Sequence, residues 1–219
     1  MKVVHVPCSS VSDPLPAPEE LLPKLAPHRS ICLVATAQHL NRLREVAAFL
    51  EAAGKKVYFG GQILGCNQRK ALKAQGKVDC FLYIGSGRFH PLGLALKTGR
   101  PVFLFNPISG VLDQISVAEK KSWMRKAKGR LMKAAAAETF GILVSTKDGQ
   151  FNLRWAEDLR RKLAAAGKRA FIFAGEELSP GNLLPFKVDA WVNTACPRIV
   201  DDEHERPVLN PDELEVLLS

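Results

Sequence analysis

Several kinds of protein are excluded by what the sequence lacks. No apolar run approaches the roughly 20 residues that a membrane-spanning helix needs. The first residues, MKVVHVPCSS, show no basic region followed by a long apolar core, so they do not resemble a secretory signal. Aromatic residues make up only 7% of the chain, which argues against a stacking platform for nucleic acid. We therefore expect a cytoplasmic protein with no membrane partner and no direct nucleic-acid partner.

The five cysteines are also informative through the patterns they do not form. They show no regular close spacing and no C-x-x-C pair, which argues against a disulfide framework, the usual zinc pattern and the common cluster pattern of radical enzymes. A G-x-S-x-G elbow is absent, so a serine hydrolase is not indicated. The net charge of +9 favours an acidic partner, and a nucleic-acid-binding module is an alternative that rests on this charge alone.

An internal repeat organises the chain. The segment ICLVATAQHLNRLREVAAFLEAAGKKVYFG, which starts at Ile31, is repeated as GILVSTKDGQFNLRWAEDLRRKLAAAGKRAFIFAG from Gly141. Each copy has the pattern of a strand, an amphipathic helix, a Gly-Lys stop and a second strand. The strands are near-continuous apolar runs, as in parallel sheets buried on both faces. The predicted fold class is therefore α/β, with two tandem repeated small domains, each a parallel sheet flanked by helices.

The repeat continues beyond these segments and suggests a domain boundary. KVDCFLYIGSGRF from Lys77 is matched by KVDAWVNTACPRI from Lys187, which pairs Arg88 with Arg198. We predict domains at 1–110 and 111–219, with a basic helix near the start of the second. The predicted apolar stripe of that helix contains Val117, Met124, Ala127 and Leu131.

Polar residues and two cysteines follow the predicted strands. Ligands of such sheets bind outside the carboxyl ends of the strands, so the loops there are the candidate site. These loops carry Gln38, His39, Cys66, Ser86, Gly87, Arg88, His90, Cys196 and Arg198.

Spacing alone leaves the roles of these residues open. GSGRFHPLG is either an anion-binding turn or a purely structural one. Cys66 and Cys196 are either thiolate ligands of a metal or cluster, reactive thiols, or incidental small residues. Cys32 and Cys80 lie inside apolar runs and are read as buried hydrophobes.

Taken together, the loops resemble a known family. TAQH, GQILGC, FLYIGSGRFHPLGLALKTGRPVFLFNP, FGILVSTKDGQ and VDAWVNTACPRIVDD followed by PVLNPDEL are similar to signatures of the diphthamide synthases, the 2-(3-amino-3-carboxypropyl)histidine synthases. The similarity covers residues 3 to 217. It implies a transferase that moves the 3-amino-3-carboxypropyl group from S-adenosylmethionine to a histidine of translation elongation factor 2, the first step of diphthamide biosynthesis, by radical chemistry.

The resemblance also implies a cofactor and its ligands. Family members have three related α/β domains around a 4Fe-4S cluster, with one cysteine ligand from each domain. Cys66 and Cys196 resemble two of these metal ligands. The residues expected to bind the cofactor or substrate are Gln38, His39, Ser86, Gly87, Arg88, His90 and Arg198, and no catalytic residue is assigned.

The sequence departs from the family at its start, where the first domain and its cysteine have no counterpart. The third ligand is then expected from a related chain in a homo- or hetero-oligomer or from Cys8, unless the site works with fewer thiolates. The same departure motivates an alternative function, in which the chain is a non-catalytic accessory subunit or paralogue of a full-length synthase.

Overall fold

The computed structural model describes residues 4, 6, 8–10, 20–65 and 67–218. The chain divides into two compact units, Met1–Lys121 and Ser122–Ser219. No helix within the described ranges has both the length and the apolar character that crossing a bilayer requires.

The first unit is built on a five-stranded sheet. Its strands are β1 (Ser30–Ala35), β2 (Lys56–Gln62), β3 (Cys80–Ile84), β4 (Val102–Phe105) and β5 (Leu112–Gln114). Its helices are α1 (Leu21–Leu25), α2 (Leu43–Ala52), α3 (Arg69–Ala74) and α4 (Phe89–Thr98), with 3-10 turns at Ala37–Arg42 and Gln75–Lys77. The strand order is β2-β1-β3-β4-β5, and only the β4–β5 pair is antiparallel.

Both faces of the central strands β1, β3 and β4 are buried, as their continuous apolar sequences predict. Along β1, Ile31 and Leu33 pack into one core cluster while Cys32 and Val34 pack into the other. The first repeat's predicted amphipathic helix is α2, and its apolar residues from Leu43 to Leu50 are buried in the first of these clusters.

The second unit repeats the pattern with four strands. They are β6 (Thr139–Ser145), β7 (Arg169–Gly175), β8 (Ala190–Asn193) and β9 (Val208–Leu209), all parallel, in the order β7-β6-β8-β9. Its helices are α6 (Leu153–Ala165), α7 (Pro180–Leu183) and α8 (Pro211–Leu218), with a 3-10 turn at Pro197–Asp201. Helix α5 (Val117–Ala134) contains the point at which the chain divides.

The two units share a pair of aspartate hydrogen bonds and a glycine helix stop, in addition to their strand–helix–strand pattern. The Asp79 carboxylate accepts hydrogen bonds from the backbone N–H groups of residues 29 and 30, and the Asp189 carboxylate accepts the same pair from residues 138 and 139. Gly54 and Gly167 follow α2 and α6 with φ of 77° and 76°, the left-handed conformation of a helix stop. The predicted fold class, two tandem α/β repeats, is confirmed.

Two sequence-based details are wrong. The division falls between Lys121 and Ser122 rather than near residue 110, because β5 pairs with β4 and so belongs to the first sheet. In the predicted stripe of α5, Ala127 is buried and Leu131 is half-buried against the core, as expected, but Val117 and Met124 are 62% and 60% exposed. The prediction is therefore wrong for the first half of the helix.

Candidate functional site

The first group of predicted site residues lies in loops at the carboxyl ends of β1 and β3. Gln38, Ser86, Gly87 and Arg88 are exposed there, and His90 is half-buried in the first turn of α4. The N–H of Gly85 donates to the carbonyl of Phe105 at 3.0 Å, and the carbonyl of Ser86 accepts from the buried Tyr83 hydroxyl, also at 3.0 Å. These bonds fix the glycine-rich turn to the sheet.

His39 differs from its neighbours because it is almost completely buried. Its side chain is 2% exposed, and Nδ1 has no hydrogen-bond partner among the described residues. Burial, helped by the nearby positive charge of Arg42, lowers the pKa of the imidazole below its usual value. His39 is therefore neutral at physiological pH and suits hydrogen bonding better than pairing with a carboxylate.

Arg88 is committed to an ion-pair network inside the first unit. Its guanidinium makes a two-point contact with Glu119, through Nε to Oε1 at 2.5 Å and Nη2 to Oε2 at 2.8 Å. It also donates from Nη1 to Asp113 at 2.5 Å and from Nη2 to the carbonyl of Gln114 at 3.0 Å. Hydrogen bonding to Arg88 lowers the pKa of Glu119 to about 2. In this arrangement Arg88 ties the loop after β3 to β5 and α5, and it is not available to a substrate carboxylate.

The predicted ligand Cys66 lies outside the described residues, but the residues around it are tightly held. The backbone N–H of Leu64 donates to the carbonyl of Asn67, and the reverse bond also forms, at 2.9 and 3.1 Å. A Cβ atom added to Gly65 would lie 2.2 Å from the Phe89 ring, so the loop packs closely on the start of α4. Gln68 is 3% exposed, and neither polar atom of its side chain has a hydrogen-bond partner in the described part of the chain.

Cys196 lies in the loop after β8 of the second unit, with a half-buried free thiol. The buried amide of Asn193 braces this loop, since Nδ2 donates to the Cys196 carbonyl at 2.9 Å and Oδ1 accepts from the Ala195 N–H at 3.0 Å. Arg198 is exposed in the 3-10 turn that follows. Asn193 was not among the predicted site residues, although a polar residue at the end of an apolar strand was a usable signal.

The Cys196 loop lines a cavity of about 440 Å³ within the second unit. Loops at the carboxyl ends of β6, β7 and β8 form it, as expected for a parallel sheet. Its polar and charged lining residues are Ser145, Lys147, Gln150, Glu176, Glu177, Ser179, Cys196 and Asp202. Among these, Lys147 and the three acidic residues were not predicted, because only the fold brings the three loops together.

The other described cysteines are not equivalent to Cys196. Cys32 and Cys80 are fully buried, and burial raises the pKa of each thiol to about 12, so both stay protonated and unsuited to metal binding. Cys8 is exposed, and nearby Ser10 donates its backbone N–H to the carbonyl of Gln38 at 2.8 Å. Val4 and Val6, which precede Cys8, are exposed and outside regular structure. Within the described residues, no group of three or more His, Cys, Asp or Glu side chains is placed to hold a metal ion.

Comparison with known proteins gives one consistent result. The family described as "Putative diphthamide synthesis protein" matches residues 1–219. A 2-(3-amino-3-carboxypropyl)histidine synthase from Pyrococcus horikoshii is 36% identical over 203 residues, which is 87% of this chain and 58% of that protein. The protein of the same name from Methanocaldococcus jannaschii is 30% identical over 197 residues, covering 81% of this chain and 57% of the relative.

A solved structure agrees with these sequence matches. The crystal structure of Dph2 from Pyrococcus horikoshii with a 4Fe-4S cluster superposes with a TM-score of 0.88 and 34% identity. The superposition covers 97% of this chain and 65% of that one. This chain therefore spans less than two thirds of the length of these relatives.

Proposed function

The chain belongs to the diphthamide synthesis family, and from this membership we propose that it acts in the first step of diphthamide biosynthesis. The reaction transfers the 3-amino-3-carboxypropyl group of S-adenosylmethionine to a histidine of translation elongation factor 2 in the cytoplasm. The observation that carries the proposal is the Cys196 loop, which presents a free thiol on a polar cavity. The histidine-modifying activity and the cluster named for the relatives support the assignment.

Cys66 and Cys196 are the proposed thiolate ligands of a 4Fe-4S cluster. The donor set fits this group, because the Cys196 thiol is accessible while Cys32 and Cys80 are buried and protonated. When bound, the cluster supplies the electron that cleaves the carbon–sulfur bond of S-adenosylmethionine, with methylthioadenosine as the other product. The third ligand comes from Cys8 or from a related chain.

The cavity beside Cys196 is the proposed site of S-adenosylmethionine. The side chains of Lys147, Glu176 and Glu177 line it, and none has a hydrogen-bond or ion-pair partner among the described residues. The Lys147 ammonium is suited to the carboxylate of the co-substrate. Carboxylates that follow the second strand of a β-α-β unit commonly accept hydrogen bonds from a ribose, and Glu176 directly follows β7.

The remaining predicted residues stay proposals for orienting the reactants. Gln38 and His39 lie in the 3-10 turn after β1, Ser86, Gly87 and Arg88 lie in the loop after β3, His90 lies in the first turn of α4, and Arg198 follows Cys196. The second candidate function, an accessory subunit of a longer relative, is motivated by a Neurospora crassa relative that is named as subunit 1 of the synthase.

Iron and sulfide analysis of the anaerobically purified chain tests the proposal directly. Incubation with S-adenosylmethionine, reductant and elongation factor 2 should then add one aminocarboxypropyl group, measured by mass spectrometry. Cys66→Ala and Cys196→Ala should each lose iron, whereas the buried Cys32→Ala should keep it as a matched control. Loss of iron in Cys8→Ser would identify the third ligand. A wild-type chain without iron, even when purified with related chains, would refute the cluster assignment.

Separate measurements distinguish the accessory role. If the chain is an accessory subunit, it should co-purify with a longer synthase and stimulate the transfer activity of that synthase. The Cys196→Ala variant should then stimulate this activity as much as the wild type does. Dependence of the transfer on Cys196 itself would exclude a purely accessory role.

A further inference from the structure

Helix α5 carries an unbalanced positive charge. Residues 120 to 134 of this helix include seven lysine or arginine residues and no acidic residue. Arg130 is paired, because its Nη2 atom lies 2.5 Å from a carboxylate oxygen of Glu213 in α8. The other six basic side chains have no hydrogen-bond or ion-pair partner among the described residues. The charge of α5 is therefore available to a partner outside the chain.

Helix α6 arranges its charges differently. There Arg161 pairs with Asp158, which lies one turn earlier in the helix, and Lys162 pairs with Glu215 of α8. Such mixed charges are typical of a helix face that contacts only solvent. Like charges one turn apart repel each other and destabilise a helix. The six remaining cations of α5 thus carry a cost that no ion pair in the described part of the chain offsets, which indicates a binding surface.

Exposed apolar side chains share one face of α5 with three of these cations. Residues spaced by three, four, seven and eleven positions lie on the same side of an α-helix. Five exposed residues follow this spacing and form the basic face of α5: Lys121, Met124, Arg125, Lys128 and Met132. The two methionines are 60% and 69% exposed. The basic face therefore offers positive charge and flexible apolar contacts together, whereas the buried Ala127 and Ala134 mark the side of α5 that faces the protein.

We propose that the basic face of α5 is the docking surface for the protein that accepts the aminocarboxypropyl group, and that it binds a patch of carboxylates next to an apolar side chain. The inference rests on the proposed function, in which the acceptor is elongation factor 2. A protein substrate can be held through contacts remote from its reacting side chain. Carboxylates complement the cations, and methionine adapts to irregular apolar partners. A nucleic acid fits less well, because the face has no aromatic side chain on which a base could stack.

The test measures the binding of unmodified elongation factor 2 to the full chain by biolayer interferometry. The charge variant combines Lys121→Glu with Lys128→Glu. The matched control combines Lys126→Glu with Lys133→Glu, because these lysines are also exposed and seven residues apart on α5 but lie outside the basic face. Both variants lower the net charge by the same amount, so a general effect of charge would weaken both equally.

The charge variant should bind roughly tenfold or more weakly than the wild type, because it places like charges against the carboxylates of the partner. The control should stay within about twofold of the wild type. High salt should weaken the wild type and narrow the difference. A third variant, Met124→Gln with Met132→Gln, should also bind more weakly, because it removes the apolar contacts and keeps the charge. Urea unfolding should give the wild-type midpoint for all three variants, since every replaced residue is exposed.

Three results of the binding assay would overturn the inference. Unchanged binding by the charge variant, or equal weakening in the charge variant and its control, refutes docking at the basic face. Unchanged binding by the methionine variant, together with a charge effect on mixed-sequence RNA, assigns the face to nucleic acid instead.

The transfer assay separates this inference from the proposed function. The charge variant should raise the KM for elongation factor 2 without changing kcat. A wild type that transfers the group, together with an unchanged KM in the charge variant, refutes the docking surface alone. A wild type that binds elongation factor 2 through the basic face but transfers nothing, even with related chains present, refutes the catalytic proposal alone.

Discussion

Replacing Arg88 with methionine should destabilise the first unit, because its guanidinium joins the loop after β3 to Asp113 and Glu119. The fall in the Glu119 pKa from 4.5 to about 2 corresponds to a ceiling of roughly 3 kcal/mol at about 1.4 kcal/mol per pKa unit. The side chains of Arg88 and Asp113 are 43% and 58% exposed, so solvent screening reduces the expected loss to about 1–2 kcal/mol. Arg88→Lys should recover only part of this, since lysine lacks the two-point geometry.

The assay is urea unfolding followed by circular dichroism, combined with hydrogen exchange resolved to β5 and the first turns of α5. Since the Glu119 pKa is depressed in the folded chain, the wild-type advantage should be complete above about pH 4.5 and disappear as the pH falls toward 2. High salt should reduce the difference. Unchanged exchange in β5, or a difference that grows toward acid pH, would refute the structural role and return Arg88 to the candidate substrate ligands.

Three further predictions concern packing, the repeated aspartate and the buried thiols. Gly141→Ala places a methyl group 2.2 Å from the Trp191 ring, so tryptophan-monitored urea unfolding should show a loss of about 1–3 kcal/mol; an unchanged midpoint would contradict the packing. Asp189→Ala should increase hydrogen exchange at residues 138 and 139, whose N–H groups it binds, while equal protection would show that the carboxylate is dispensable. Cys32 and Cys80, with thiol pKa values of about 12, should resist iodoacetamide at pH 8 until the chain unfolds, and rapid labelling of the native chain would disprove their burial.

The sequence predicted which segments form amphipathic helices better than it predicted which residues of each helix are buried. The amphipathic helix of the first repeat, α2, was predicted correctly, because its apolar residues from Leu43 to Leu50 recur at helical spacing and face one sheet. In α6 the buried residues are Ala156, Leu159 and Leu163, while Trp155 is 40% exposed. The smaller alanine lies on the buried face because it allows the helix to approach the sheet closely.

The sequence predicted which loops form the candidate site but not which residues of different loops are neighbours. Local sequence identified the loops that follow β1, β3 and β8, because apolar strands and their ends are visible in the chain. It did not identify Lys147 or Glu176 as neighbours of Cys196, since they come from different loops. Arg88 was a reasonable candidate ligand from its loop alone, but its partner Glu119 is 31 residues away in the chain.

The sequence by itself determined the α/β repeat, the loops at the carboxyl ends of the strands and the family to which they are similar. These features follow from residue types at short spacing, which local periodicity and loop motifs record. Only the tertiary structure decided that β5 completes the first sheet, that Arg88 pairs with Glu119, and that the buried Gln68 amide has no partner in the described part of the chain. Each of these depends on which distant segments meet, because burial and pairing are properties of the folded chain rather than of any short stretch of it.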